Sequence, residues 1–380
     1  MGRHIVDDRR LVRPVGPIAV SLFAVATLLW AAVASSAAEP AFVTVRFRDA
    51  FSGFAPREVD GEVVWETERV LEVRDSAGAI AVLPRENVDE IRPLDGPVGP
   101  ITVEEFAARL KTSFPRNTPV RTGDGFVVVG TGGPRFLGQC LTNAGRLRRE
   151  FAEIWDGPRT TVSEPPYPLA VVTFATDAEM QRFVKAETGH VSSGGRAFFA
   201  ATTNRVYVRA PRTAAEWPRV TNDVLHELTH QQSFNRGLQT RLSDYPLWIS
   251  EGVAMLTEAA DRRGRPPRAG RLPMNPARIA ELVRADPKDF EFDRLITAGP
   301  ATRTSLSAGG GYAFAWALTR FFYDRRRDDL DRYLAALREK PRGELRSAEV
   351  YRADFEAAFG DVGPVEAEFR VYLNEITGRR

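Results

Sequence analysis

The sequence is short of the two residues that most often build metal and redox sites: its 380 residues include one cysteine and four histidines. A single cysteine excludes an internal disulfide in any compartment. Cys140 shares a helical face with Phe136, Ala144, Leu147 and Phe151, the surroundings of a core residue rather than of a nucleophile or ligand. No Walker, Rossmann, zinc-knuckle or repeat pattern occurs. An excess of one charge is also lacking. The formal net charge is +2, and the first 38 residues hold four arginines against two acids, leaving 48 basic and 48 acidic residues in the rest. A neutral chain lends no support to a nucleic-acid-binding surface, and no nucleic acid is expected as a partner.

The N-terminus has the form of a targeting segment. Arg9, Arg10 and Arg13 precede the apolar run 18–34, and Ser36, Ala37 and Ala38 offer a small-residue cleavage site before Glu39. Residues 1–38 are expected to be a signal peptide or, given the length of the run, a membrane anchor through residues 18–34. Either assignment places the remainder outside the cytoplasm, secreted or in the cell envelope.

Residues 39–96 are expected to form a small β-rich domain, a barrel that packs on the rest or binds a partner. Short β-prone runs at 42–46, 62–65, 70–73 and 80–83 are separated by turn residues such as Asp75 to Gly78. The stretch 93–100, dense in proline and glycine, is the best linker in the chain. Beyond it, residues 97–380 alternate helix and strand and then become mostly helical, an α+β pattern. Thr102 and Glu105 form a capping box, a strand is expected at 126–129, and a long helix follows at 135–155. A second strand at 170–174 leads to a helix opened by Thr176 and Glu179, and 198–201 with 205–208 reads as a hairpin.

The most informative segment is the HExxH string His226, Glu227, Leu228, Thr229 and His230. Residues four apart share a helix face, so both imidazoles can reach one metal ion. Glu227 lies one step round, close enough to act on a water without ligating. Asn222 is expected to cap this helix, with Val224, Leu225 and Leu228 as its apolar side. A tetrahedral catalytic site needs a third protein ligand and an open position, and Glu251 in the cluster Trp248 to Ala254 can supply the ligand. A structural site would fill the fourth position with protein, and only the distant His190 remains for that role.

Gln231 to Arg236 follow His230 with no glycine or histidine where a metzincin would have them. The HExxH helix, some twenty residues and then W-x-x-E-G-x-A resembles the gluzincins, zinc metallopeptidases with a glutamate third ligand. The sequence is more closely similar to a bacterial family of secreted, peptidase-MA-like proteins of largely undefined function. That likeness rests on His226 to Gln231, Phe234 to Gly237, Pro246 to Ala254, the Tyr312 to Leu318 segment and Phe355 to Gly360. It implies a mixed sheet with an edge strand, a zinc helix and a helical C-terminal half. It further implies Zn2+ held by His226, His230 and Glu251, with Glu227 as general base. Tyr312 would match the gluzincin tyrosine that stabilises the oxyanion, or else serve packing. Val206, Tyr207, Val208 and Arg209 would form the edge strand that binds substrate backbone, or else an ordinary core strand. Gly252 is expected to let the Glu251 helix approach the zinc helix closely.

Two departures matter. The spacing to Glu251 is two residues longer than in the aminopeptidase branch of the gluzincins, which the loop from Gly237 to Tyr245 could absorb. Many gluzincins place a carboxylate four residues after the glutamate ligand, to orient a metal histidine, and here that position is Met255. Glu258 or Asp223 would have to substitute. The expected activity is zinc-dependent hydrolysis of a peptide or protein substrate. The alternative is a non-catalytic metal-binding envelope protein that acts as a binding module, and the motif alone leaves hydrolysis of a non-peptide substrate open.

Overall fold

The computed structural model describes residues 41–378 except 50–52, 158–159, 190–194, 262, 269, 271, 286–289 and 301–309. The expected leader, the apolar run 18–34 and His190 lie outside the described residues. Among the described residues, no helix is long and apolar enough to cross a membrane.

The N-terminal region is β-rich. Strands β1 (Phe42–Asp49), β2 (Ala55–Glu66), β3 (Val70–Asp75), β4 (Ile80–Pro84) and β5 (Val88–Pro93) form one antiparallel sheet in the order β4-β3-β2-β1-β5. Val43, Val45, Leu71, Val73 and Leu83 bury one small core. The expected barrel is not closed: β4 and β5 stand at opposite ends of the ladder instead of pairing. The sheet instead leans on the rest of the chain. Ile80 N–H donates to Thr202 O (2.7 Å), Ile101 N–H donates to Ser76 O (3.0 Å), and buried Glu72 pairs with Arg342.

A second sheet carries the remainder. After α1 (Val103–Lys111), opened by the Thr102–Glu105 capping box, come β6 (Val120–Gly123), β7 (Phe126–Gly130), α2 (Pro134–Trp155), β8 (Leu169–Phe174), α3 (Asp177–Thr188), β9 (Ala197–Ala200) and β10 (Arg205–Arg209). The order is β6-β7-β8-β10-β9, with β7, β8 and β10 parallel and the two outer pairs antiparallel. Side chains alternate between faces as a strand requires. Phe126, Val128, Val206 and Val208 meet α2 and the helix α4 (Trp217–Asn235), whereas Val127, Val129 and Tyr207 meet α1 and α3.

This topology corrects the substrate-strand expectation. Val206, Tyr207, Val208 and Arg209 are fully or almost fully buried in β10, between β8 and β9, so their backbone groups belong to the ladder. A run apolar on both faces is what an inner strand needs. The edge strand is β9. Asn222 is likewise not the cap of α4, which begins a turn earlier at Trp217 with a proline at its start. Its side chain accepts from Ala260 N–H instead (3.1 Å).

The C-terminal half is helical: α5 (Leu247–Thr257), α6 (Pro276–Arg284), α7 (Phe292–Thr297), α8 (Gly311–Arg325), α9 (Arg327–Arg338), α10 (Ala348–Phe359) and α11 (Val362–Thr377). An aromatic core holds these helices together, with Trp248 against Tyr333, Phe322, Phe355 and Phe359. Gly252 of α5 permits a close approach, but to α8 rather than to α4. A Cβ there would lie 1.8 Å from Thr319 Oγ1 and 3.1 Å from Ala315 O. Gly252→Ala is therefore expected to destabilise the fold by roughly 1–3 kcal/mol through overpacking, measured by urea unfolding. An unchanged midpoint would show that α5 and α8 are not closely packed.

Candidate metal centre

Helix α4 places the histidines by its period and fixes them by its anchors. Val220, Val224 and Leu228 bury one side against the sheet, which turns the His226 and His230 face towards α5. Gln231 Nε2, from the next residue, donates to Ala170 O (3.1 Å) and Asn204 O (2.9 Å). One turn further, Asn235 and Asn204 exchange amide hydrogen bonds, Nδ2 to Oδ1, of 2.6 and 2.8 Å. Asn204 sits in the β9–β10 turn with φ 60°, so these bonds tie the edge hairpin to the histidine helix. Buried Thr229 pairs its hydroxyl with that of Thr257, joining α4 to α5.

The three expected ligands come together. Their ligand atoms lie within 4.8 Å of one another and could hold a metal ion. His226 Nε2 is 3.2 Å from Glu251 Oε2 and 3.2 Å from His230 Nε2, and His230 Nε2 is 3.7 Å from Glu251 Oε2. Behind them, Glu258 Oε2 accepts from His226 Nδ1 at 3.0 Å. The carboxylate missing at the buried Met255 is thus supplied by Glu258, three residues on and just past the end of α5. Asp223, the other candidate, is engaged with Arg196 (2.7 Å).

Burial and charge compete within this group. Burial alone would depress the His226 imidazole, but hydrogen bonds to Glu251 and Glu258, with the Glu227 charge nearby, outweigh it and hold the pKa well above 6.5. Burial likewise pushes Glu251 and Glu258 up. It is outweighed by the imidazoles of His226 and His230 at Glu251 and by His226 and Arg278 at Glu258, so both stay below 4.5 and ionised at neutral pH.

The group opens into a cleft of about 840 Å³. Glu227 lies in its wall, where its Oε2 accepts the Phe199 N–H of β9 at 2.8 Å. Phe198, Phe199 and Phe234 supply apolar surface, and the Phe234 ring stacks between those of Phe199 and His230. Tyr312, in the first turn of α8, lines the same cleft while also packing on the aromatic core. The structure therefore gathers His226, Glu227, His230, Glu251 and Tyr312 and leaves Val206, Tyr207, Val208 and Arg209 inside the sheet. Among the cleft residues that escaped the sequence reading are Asn275 and Arg278, both bonded to Glu258. Asn275 before Pro276 was a legible helix start, but nothing in one sequence aims it at residue 258.

In the metal-free protein the flanking carboxylates favour the doubly protonated form of His226, whereas a metal needs the bare Nε2 lone pair. Loading at pH 7 is expected to release about one proton, and affinity to weaken up to tenfold per unit of falling pH below the His226 pKa. Calorimetry in buffers of differing ionisation enthalpy counts that proton, and no release would contradict the charge state derived above. Among known families, the one described as "Protein of unknown function (DUF1570)" matches residues 220–342. No curated protein matches the chain. The matched span contains His226, Glu227, His230, Glu251, Glu258, Arg278 and Tyr312, and leaves out the edge strand β9.

Proposed function

We propose that the protein is a gluzincin-type zinc peptidase, secreted or in the cell envelope, that hydrolyses peptide bonds in an extended peptide or protein substrate. The location rests on the leader sequence. The chemistry rests chiefly on one observation, the spacing of the three donors. Zinc bonds of about 2.0–2.2 Å to nitrogen and oxygen in a tetrahedron imply donor–donor edges of roughly 3.3–3.6 Å. The separations here are 3.2, 3.2 and 3.7 Å. Among the described residues the group has three members, which suits a catalytic site with a position left for substrate or water.

Zinc bound there would lower the pKa of water to about 7 and polarise a carbonyl. The chain's residues supply the rest. Glu227 takes the proton of the attacking water and passes it to the leaving amine, and Phe199 N–H steers its carboxylate. Glu258 holds the proton on His226 Nδ1 and leaves Nε2 for the metal. Strand β9, at the sheet edge and beside Glu227, offers backbone groups to an extended peptide, the property that favours a peptide over other substrates. Tyr312, in the cleft wall, is the residue assigned here to the developing oxyanion. The non-catalytic alternative drew on Met255 and on the extra β-rich region, and Glu258 at His226 answers the first of these grounds.

The test pairs metal analysis with a peptide-library assay. Wild type should carry about one zinc per chain, and Glu227→Gln should keep that zinc while losing about 10²-fold or more of its turnover, the usual size of a positioned acid–base group. Full turnover in the variant would remove Glu227 from the reaction. A wild type that takes up no zinc at neutral pH would overturn the peptidase assignment. Glu251→Ala should bind zinc more weakly than wild type in the same analysis, and undiminished occupancy would exclude Glu251 as a ligand.

A further inference from the structure

The carboxylate behind His226 is in an unusual position. A carboxylate one turn after Glu251 would ride on α5 and be aimed by the helix itself. Glu258 instead follows the last residue of that helix, at the end of a side chain with three rotatable bonds. Something else must fix it, since loose positioning would leave the His226 ring free to turn.

Helix α6 supplies the fixing. Arg278 Nε donates to Glu258 Oε1 (2.8 Å) and Arg278 Nη2 to Oε2 (3.2 Å), the two-pronged contact that a planar guanidinium makes with a carboxylate. Asn275 Nδ2 donates to Oε1 as well (2.9 Å). With His226 Nδ1 on Oε2, four donors meet the roughly four acceptor sites of one carboxylate. Asn275 is itself oriented, because its Oδ1 caps α6 by accepting from Ala277 N–H (3.1 Å) and Arg278 N–H (3.4 Å). Glu281 takes the remaining arm of Arg278 through Nη1 (3.0 Å). Glu258 and Asn275 are buried, and the Arg278 side chain is only 19% exposed.

We infer that Arg278 and Asn275 are positioning residues of the metal centre: the start of α6 latches Glu258 and, through it, sets the orientation and tautomer of His226. This rests on the zinc reading above. Arg278 touches neither the ligand atoms nor Glu227 in any hydrogen bond described, so its effect passes through Glu258.

Zinc affinity of the full-length protein, measured by competition with a chromogenic chelator, tests the latch without an activity assay. Arg278→Met keeps the bulk and removes the fork, and should weaken zinc binding about 10- to 100-fold, the usual size for partners behind a ligand. The visible absorption of the cobalt-loaded protein should shift with it. Arg278→Lys keeps the charge but cannot match both oxygens, and should fall between the two. A residue with a merely structural role would lower the unfolding midpoint and leave the affinity and cobalt spectrum of the folded protein unchanged. Wild-type zinc affinity in folded Arg278→Met overturns the inference, and so does wild-type affinity in Arg278→Lys should the methionine variant not fold. Those outcomes leave the zinc reading intact, whereas a wild-type protein that binds no zinc removes both.

Discussion

An imidazole buried between two carboxylates is the constraint around which this molecule is arranged. Glu251 and Glu258 approach the two nitrogens of His226 from opposite sides of the ring, and all three are largely shielded from water. Ionised carboxylates tolerate such burial only with hydrogen bonds and opposite charge close by. Each neighbouring element meets part of that need. Helix α4 brings the second imidazole, α6 brings a guanidinium, and α5 can hold Glu251 where it is because Gly252 lets it lie flush on α8. Metal-site chemistry and interior packing are here one problem.

The anchoring of α4 shows the same economy. The five residues after the second histidine include Gln231 and, at their end, Asn235, both turned away from the candidate metal site and towards the hairpin turn at Asn204. The glutamine holds two backbone carbonyls, and the asparagine clasps the side chain of Asn204, whose backbone is in the left-handed conformation. The helix that carries the two histidines is thereby also tied to the β9–β10 hairpin, and Phe199 of β9 meets Glu227.

What one sequence disclosed, and what it hid, divides along the range of the interaction. The histidine pair, the Thr102 and Thr176 caps and the β9–β10 hairpin are set within a few residues, and each is where local pattern puts it. Glu258 was legible as one of two candidates because only nearby acids can replace Met255, but choosing it over Asp223 required knowing that Arg196 already holds Asp223. Strand order was not legible at all. Arg205–Arg209 and Ala197–Ala200 are neighbours in sequence, and which one borders β8 depends on a parallel pairing set by α3 and its connections. The Arg278–Glu258 contact crosses a turn-rich stretch of twenty residues whose path no periodicity records. The β-rich region shows a milder case: four of its five strands were readable one by one, β5 was not, and whether a ladder closes is a property of the whole sheet.

The tie between α4 and α5 has one more consequence. Ligands on two helices already joined by the Thr229–Thr257 pair and by the shared interior do not wait for an ion to draw them together. In small zinc-dependent domains the ion organises the chain, and removing it unfolds the protein. Here the two helices are joined by protein contacts, so little conformational entropy would be lost on binding an ion at the candidate site. Were the site to hold an ion, a chelator would strip it and leave a native chain ready to accept another, making metal exchange a local event rather than a folding reaction.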